Sequence, residues 1–130
     1  MKDYSQYQLS ERLAKSAYTS DGLQHVYEVA TKCESFKLKT IAILHDIIED
    51  TLITISVLQH YDFDDDIIQA VSAITRLKSE TYFQYIKRLN HNHLATQVKL
   101  IDLQVNIRRC EQNPKGALLV RYYTALKMLK

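Results

Sequence analysis

Glycine and proline are scarce in this chain, which has two glycines and one proline in 130 residues. Tight turns and strand ends depend on these residues, so their scarcity leaves little material for β-structure and favours helices throughout. The length is that of one typical domain and is sufficient for a hydrophobic core. We therefore expect a single all-α domain over residues 1–130.

A strong net charge and long apolar runs are lacking as well. The formal charge is +2, so no strong field draws the chain to nucleic acid or anionic lipid, and we expect neither as a partner. No apolar run approaches the roughly 20 residues of a membrane span, and the polar start has no signal region. The isolated Cys33 and Cys110 form no CxxC pair, which favours a reducing cytoplasm. We expect both near the core, with a disulfide between them left open.

Residues 41–51 have the clearest two-sided pattern. At about 100° per residue they predict one helix, whose apolar side consists of Ile41, Leu44, Ile47 and Ile48. The polar side consists of His45, Asp46, Glu49 and Asp50. Three neighbouring carboxylates repel each other, and this side lacks the lysine, glutamine or serine of an ordinary exposed face. A bound cation would explain the pattern, and a solvated acidic face with a chance histidine explains it equally well.

A second informative segment, residues 94–109, is apolar on most sides. Lys99, Asp102 and Asn106 interrupt it at spacings of three and four residues, which places them in one narrow stripe. A helix that is apolar except for one stripe is usually buried, and the stripe then faces a cavity or another polar group. The alternative is a surface helix whose stripe meets water.

The other helices are expected from apolar spacing and from end signals. The full set covers residues 5–18, 23–35 after a break at 19–22, 38–51, 55–61 with Thr54 as cap, a segment that follows the acids at 64–66, one that opens at Ser79 or Glu80, 94–109, and a last helix that starts at Asn113-Pro114. The acids at 62–66 suit a helix N-terminus better than a metal site. We interpret His91 and His93 as loop residues and not as ligands.

A metal site would need one more neutral donor beside His45, Asp46 and Asp102. His25 is the natural candidate, although a core or surface histidine explains it better when it is taken alone. Two imidazoles and two carboxylates suit Mn²⁺, Fe²⁺ or Zn²⁺. Such an ion makes water more acidic and polarises a phosphoryl oxygen.

These residues resemble the pattern of the HD metal-dependent phosphohydrolases, in the order His25, His45-Asp46, Asp102. More narrowly, the string AILHDIIEDT at 42–51 is similar to the hydrolase domain of the RelA/SpoT alarmone enzymes and their small stand-alone relatives. Further matches in the expected order are ITR at 74–76, ETY at 80–82 and VKLID at 98–102 with Asn106 and Arg108. The resemblance covers roughly residues 13–109, and the chain is too short to include a synthetase domain.

The resemblance implies an HD-domain bundle of about seven to eight helices. It implies a Mn²⁺ ion, with Fe²⁺ or Zn²⁺ as alternatives, held by His25, His45, Asp46 and Asp102. Glu49 and Asp50 would orient or deprotonate the attacking water. The implied substrate-binding residues are Asn106, Lys99, Arg76 and Lys78. The implied reaction removes the 3′-pyrophosphate of guanosine tetra- or pentaphosphate, a nucleotide of the stringent response, in the cytoplasm.

The chain also departs from the family pattern around the expected nucleobase site. Relatives place Arg-Lys in the loop before the first metal histidine, whereas residues 19–24 here contain no cation. Leu103, Val105 and Arg109 replace the usual Arg, His and small Thr. The sequence therefore supports the chemistry better than the substrate. Two alternatives are a phosphohydrolase that acts on another nucleotide or phosphorylated metabolite, and a sensor that binds a nucleotide without hydrolysing it.

Overall fold

The helices of this protein are described by a computed structural model that covers residues 2–112 and 116–129. They are α1 (Lys2–Ala17), α2 (Ser20–Ala30), α3 (Phe36–Leu44), α4 (Ile47–Asp50), α5 (Ile55–Gln59), α6 (Asp65–Ile74), α7 (Tyr82–Leu89), α8 (His93–Gln112) and α9 (Gly116–Met128). These residues contain no strand, which confirms the all-α prediction. Among the described residues, counting the single turn α4 with α3 gives eight helices, in line with the seven to eight expected. The predicted helix start at Asn113-Pro114 lies outside the described residues.

Side-chain caps start several of these helices. The hydroxyl of Thr19 accepts a hydrogen bond from the Gly22 N–H at 3.2 Å and caps α2. The break between the first two helices is therefore shorter than the predicted 19–22, and α2 begins at residue 20. Thr54 caps α5 as predicted. Thr81 and Gln84 form a capping box at the start of α7, which places that start slightly later than Ser79 or Glu80.

The prediction of one continuous helix over 38–51 is wrong, because the chain breaks between α3 and α4. In an unbroken helix the Ala42 carbonyl would accept from the N–H of Asp46. Here it accepts from the backbone N–H and the ring Nδ1–H of His45 instead. The histidine side chain thus competes for a helical carbonyl and ends α3. As a result His45 and Asp46 lie in a turn, and the acids at 49 and 50 lie on a separate helical turn.

The main hydrophobic core surrounds α3. Residues 40–44 of this helix are all buried, and α1, α2, α6 and α8 pack around it. Helical spacing predicts Ala42 on the same side as His45, Asp46, Glu49 and Asp50, but Ala42 has no exposed surface and packs in the core. A second hydrophobic cluster joins α7, α8 and α9 and includes Tyr85, Ile86, Leu89, Leu103, Ala125 and Leu129.

Helix α8 belongs to both hydrophobic clusters, and its polar stripe lies where they meet. Val98 and Val105 pack in the main core, whereas Leu103 packs in the second cluster. Between them, Lys99 and Asp102 are 8% and 3% exposed. The prediction of a buried helix with an inward-facing polar stripe is therefore confirmed, and the alternative of a surface helix whose stripe meets water is wrong.

Cys33 and Cys110 are both buried and both free thiols, so their placement near the core is confirmed. Within residues 2–112 and 116–129, no helix combines the length and the apolar character needed to cross a membrane.

Candidate metal and phosphate site

Four side chains that are distant in sequence meet at the edge of the main core. Oδ1 of Asp102 accepts hydrogen bonds from Nε2 of His25 at 2.8 Å and from Nε2 of His45 at 3.2 Å. Oδ2 of Asp46 lies 3.3 Å from the same nitrogen of His45 and 3.8 Å from that of His25. The structure thus brings together all four residues that the sequence predicted as metal ligands.

Three separate segments position these side chains. His25 lies in the middle of α2, Asp102 lies in the buried stripe of α8, and His45 and Asp46 form the turn between α3 and α4. The turn matters because it directs two adjacent residues toward one point, where the imidazole and carboxylate come within 3.3 Å. The break in the predicted helix therefore contributes directly to the site.

The donor chemistry of this group fits a divalent transition metal. One ligand atom each from His25, His45 and Asp46 lies within 4.8 Å of the others, and this mixed nitrogen and oxygen set suits Mn²⁺, Fe²⁺ or Zn²⁺. His45 also donates Nδ1–H to the Ala42 carbonyl, which is the usual outer contact of a metal-bound imidazole. The other oxygen of Asp102 accepts from Nζ of Lys99 at 3.0 Å. A role for Asp102 as fourth ligand stays a prediction.

The carboxylates of the group favour positive charge at its centre. Burial alone would lower the pKa of His45, but the neighbouring Asp46 and Asp102 outweigh burial and raise that pKa to about 9. Burial would likewise raise the pKa of Asp102, but Lys99 and His45 hold that pKa well below its usual range. The two ring nitrogens of His45 face oxygen acceptors, Nδ1 the Ala42 carbonyl and Nε2 the carboxylate of Asp102. A metal cation could replace the proton on Nε2.

Glu49 and Asp50 lie one helical turn beyond Asp46, on α4. Both line the same cavity as His25, Asp46 and Asp102. Partial burial, reinforced by the charge of Asp46, raises the pKa of each carboxyl group above its usual value. Raised carboxyl pKa values are typical of groups that accept and return a proton.

The cavity has a volume of about 460 Å³, which is sufficient for a small-molecule ligand. Its acidic lining comes from the metal group and α4, together with Asp21 of α2. Its basic and aromatic lining comes from the loop before α7 and from α7, α8 and α9, and consists of Arg76, Tyr82, Tyr85, Lys99, Arg109, Arg121 and Tyr122. A ligand that fits both linings would bind a metal ion at one part and present negative charge at another.

Three cations of this lining surround the ring of Tyr82, and we call them the Tyr82 cations. The Cζ atoms of Arg121 and Arg76 lie 4.7 Å and 5.8 Å from the ring centroid, and Nζ of Lys99 lies 5.9 Å from it. All three distances are within the range of a cation–π contact. Positive charge is therefore concentrated at one place in the cavity wall.

The loop that carries Arg76 is held by a pair of charged residues. Arg88 donates to both carboxylate oxygens of Glu80, at 2.6 Å and 2.8 Å, and to the backbone carbonyls of residues 73 and 75. Glu80 in turn accepts from the Leu77 N–H at 2.9 Å, and its backbone carbonyl accepts from Nε and Nη2 of Arg76, each at 3.2 Å. This network fixes the guanidinium of Arg76 at the cavity wall.

The Glu80–Arg88 pair predicts a change in stability at acidic pH. Hydrogen bonds from Arg88 lower the pKa of Glu80 from 4.5 to about 2. A carboxyl group whose pKa falls on folding stabilises the folded state above its unfolded pKa, and this stabilisation is lost as pH falls through the folded value. We expect the free energy of unfolding of wild-type protein to fall between about pH 4.5 and pH 2, and Glu80→Gln to reduce that fall.

Urea denaturation at a series of pH values measures this effect. Asp65→Asn is the matched control, since Asp65 is exposed in the first turn of α6. If the free energy of unfolding of Glu80→Gln falls at acidic pH as much as that of wild type, the Glu80–Arg88 pair does not titrate as described.

The structure also locates the other sequence-predicted site residues. Lys99, Asn106 and Arg76 line the main cavity, and Nδ2 of Asn106 lies 3.5 Å from Oδ2 of Asp102. Lys78 is exposed and does not line this cavity. It lines a neighbouring one that shares Arg76 and Glu49 with the first. The acids at 64–66 open α6, as predicted, and His91 is an exposed turn residue. The loop prediction for His93 is wrong, because it is the first residue of α8.

Arg121 and Tyr122 are cavity residues that the sequence reasoning missed. Apolar spacing in the last helix groups Tyr122 with Leu118, Leu119, Ala125 and Leu129 as a packing residue and gives Arg121 no role. A signal was present, because Arg121 is three residues after Leu118 and four before Ala125, and thus shares their face. A cation on an otherwise apolar face is the pattern that indicated the stripe on α8.

Comparison with known proteins gives no assignment for this arrangement. No model of a known family matches the chain, and a search of curated proteins found no match.

Proposed function

We propose that this protein is an HD-type metal-dependent phosphohydrolase that removes the 3′-pyrophosphate of guanosine tetra- or pentaphosphate. The observation that carries the proposal is the convergence of His25, His45, Asp46 and Asp102 at a cavity that has an acid pair and a basic wall. The sequence resemblance to the RelA/SpoT hydrolase domain supports the same reaction. The proposed setting is the cytoplasm, with a free nucleotide and no nucleic acid as partner.

His25, His45, Asp46 and Asp102 would hold the metal ion, with Mn²⁺ preferred and Fe²⁺ or Zn²⁺ as alternatives. When bound, such an ion polarises a phosphoryl oxygen and makes water more acidic. Lys99 keeps Asp102 ionised through their contact at 3.0 Å. The Ala42 carbonyl keeps the proton of His45 on Nδ1 and so leaves Nε2 available for a ligand bond.

Glu49 and Asp50 would act on the water that attacks the phosphorus. Each lines the cavity beside the metal group, one helical turn beyond Asp46. One of them would accept the proton of the water as the bond to phosphorus forms. The P–O bond to the 3′ oxygen would then break, and the carboxyl group would return the proton to that oxygen, giving GDP or GTP with a free 3′ hydroxyl, and pyrophosphate. Glu49 also accepts a hydrogen bond from the Arg76 N–H at 3.3 Å, which positions its carboxylate.

Phosphate and base recognition would come from the remaining lining. The guanidinium groups of Arg76 and Arg109 suit phosphate oxygens, and Asn106 lies beside Asp102, where it would reach the sugar or base. Asp21 also lines the cavity, at the start of α2. A carboxylate there would accept hydrogen bonds from the N–H groups of guanine, in place of the Arg-Lys pair that relatives have before the first metal histidine.

Pyrophosphate release from guanosine tetraphosphate tests the proposal directly. Protein freed of metal with a chelator and reloaded with Mn²⁺ is expected to release pyrophosphate, and chelated protein is not. The same assay with a panel of other nucleotides and sugar phosphates distinguishes a different substrate. Tight nucleotide binding without turnover in Mn²⁺, Fe²⁺ or Zn²⁺ would reject the hydrolase and favour a nucleotide sensor.

A further inference from the structure

A side chain distant in sequence contacts the backbone at the break between α3 and α4. Tyr18 directly follows α1, and only 9% of its surface is exposed. Its hydroxyl donates a hydrogen bond to the Ile43 carbonyl at 2.8 Å. In an unbroken helix this carbonyl would accept from the N–H of Ile47. The phenol therefore supplies a donor from outside the helix, at the point where α3 ends.

The same hydroxyl contacts the backbone on the other side of His45. The N–H of Asp46 donates a hydrogen bond to the Tyr18 oxygen. In an unbroken helix that N–H would donate to the Ala42 carbonyl, which the ring of His45 takes here. Burial and the charge of Asp46 raise the pKa of Tyr18 more than this hydrogen bond lowers it, so the hydroxyl keeps the proton that it donates. One phenol thus bridges two backbone groups across the break.

The ring of Tyr18 is fixed between the main core and α2. It packs among the buried residues of the main core. A Cβ atom at Gly22, in the first turn of α2, would lie 3.3 Å from Cδ1 of Tyr18, so the ring packs directly against this helix. Helix α2 also carries His25. The phenol therefore fixes the turn relative to the segment that supplies the other imidazole of the metal group.

We propose that Tyr18 is a positioning residue of the metal group, because its hydroxyl holds the α3–α4 turn in the conformation that directs His45 and Asp46 into the site. It acts through the backbone of the turn and not on a bound molecule. Without the hydroxyl, a buried carbonyl loses its donor and an N–H loses its acceptor, which costs free energy unless the turn rearranges. The role in metal binding rests on the proposed function, whereas the role in shaping the turn does not.

The binding arm of the test measures the Mn²⁺ affinity of metal-free protein by titration calorimetry. Tyr18→Phe removes the hydroxyl and keeps the ring. Tyr27→Phe is the matched control, since its hydroxyl donates to a carboxylate oxygen of Glu11 at 2.6 Å, between α2 and α1. We expect the Kd of Mn²⁺ to rise about tenfold in Tyr18→Phe, as for the loss of an outer partner of a metal ligand, and to stay unchanged in Tyr27→Phe. An equal rise in both variants would indicate a general loosening of the fold and overturn the positioning role.

The structural arm uses metal-free protein and needs neither metal nor turnover. Nitrogen NMR signals of the imidazole rings report how His25 and His45 are bonded. The His45 signals are expected to shift in Tyr18→Phe, because the carbonyl that accepts from its Nδ1–H belongs to the same break, and to stay unchanged in Tyr27→Phe. If the His45 signals of folded Tyr18→Phe match those of wild type, the hydroxyl does not position the turn.

The two arms separate this inference from the proposed function. If wild type binds no Mn²⁺ but Tyr18→Phe shifts the His45 signals, the metal site fails and the positioning of the turn stands. If wild type binds Mn²⁺ and releases pyrophosphate, and Tyr18→Phe binds the ion equally tightly, the proposed function stands and the positioning role fails. Circular dichroism of each variant establishes that it is folded. If Tyr18→Phe is unfolded, Gly22→Ala replaces it in both arms with the same expected directions, because its Cβ would press on the Tyr18 ring while alanine favours the helix.

Discussion

Pyrophosphate release is expected to fall at least about a hundredfold when Glu49→Gln and Asp50→Asn are combined, because proton transfer by a positioned side chain typically contributes that much or more. Both substitutions keep the size of the side chain and its ability to accept a hydrogen bond, and both remove the basic carboxylate. The loss should therefore appear in kcat, with little change in KM. A continuous assay of pyrophosphate in Mn²⁺ measures both quantities.

The single variants and a control complete this experiment. Each single variant is expected to lose part of the activity, and the larger loss identifies the carboxylate that accepts the proton. Asp65→Asn removes an exposed acid of α6 and is expected to retain full activity. Unchanged kcat in the double variant would contradict the role that we assign to α4, even if the metal group is correct.

Asp102→Asn is expected to lower the free energy of unfolding by about 3–5 kcal/mol, since it leaves a buried ammonium group without its carboxylate. Lys99 and Asp102 are both buried, and their charged atoms lie 3.0 Å apart. The asparagine amide cannot compensate the charge of Lys99. Urea denaturation in the presence of a chelator measures this effect without any contribution from a bound metal.

The reverse change should cost less, and this asymmetry is the sharper part of the prediction. Lys99→Met leaves Asp102 buried but still bonded to both imidazoles, so we expect a loss of only about 1–2 kcal/mol. Glu28→Gln breaks an exposed ion pair with Arg109 and is expected to cost less than about 1 kcal/mol. Equal losses in the Lys99 and Asp102 variants would show that the imidazoles do not support the carboxylate.

Spacing within helices accounts for the parts of the site that the sequence predicted well. Lys99, Asp102 and Asn106 share one face of α8 because they are three and four residues apart. The apolar residues around them are buried, so the stripe faces a cavity. The same argument identified an acid-rich group in residues 45–50. The meeting of His25 with these residues could not follow from spacing, since it depends on how α2 packs against α8, and it came from the resemblance.

The sequence could not predict features of the site that depend on contacts between distant segments or on competition for a single carbonyl group. The break at His45 arises because its ring takes the Ala42 carbonyl, and helical periodicity contains no information on that choice. Local spacing places Arg121 on the apolar face of α9 with Leu118 and Ala125. It does not specify that this face packs on α7 and α8, which is what brings Arg121 to the cavity. The resemblance implied a substrate contact for Lys78, but Lys78 lines a different cavity.

The affinity of metal-free protein for Mn²⁺, measured by titration calorimetry, tests the central claim most directly. One ion per chain is expected to bind to wild type, and His25→Ala and His45→Ala are each expected to weaken that binding at least about tenfold, as removal of a ligand requires. His91→Ala, which removes an exposed histidine in a turn, should bind as wild type does. If the His25 and His45 variants bind Mn²⁺ as tightly as wild type, or wild type binds none of the three candidate ions, the metal site proposed here is contradicted.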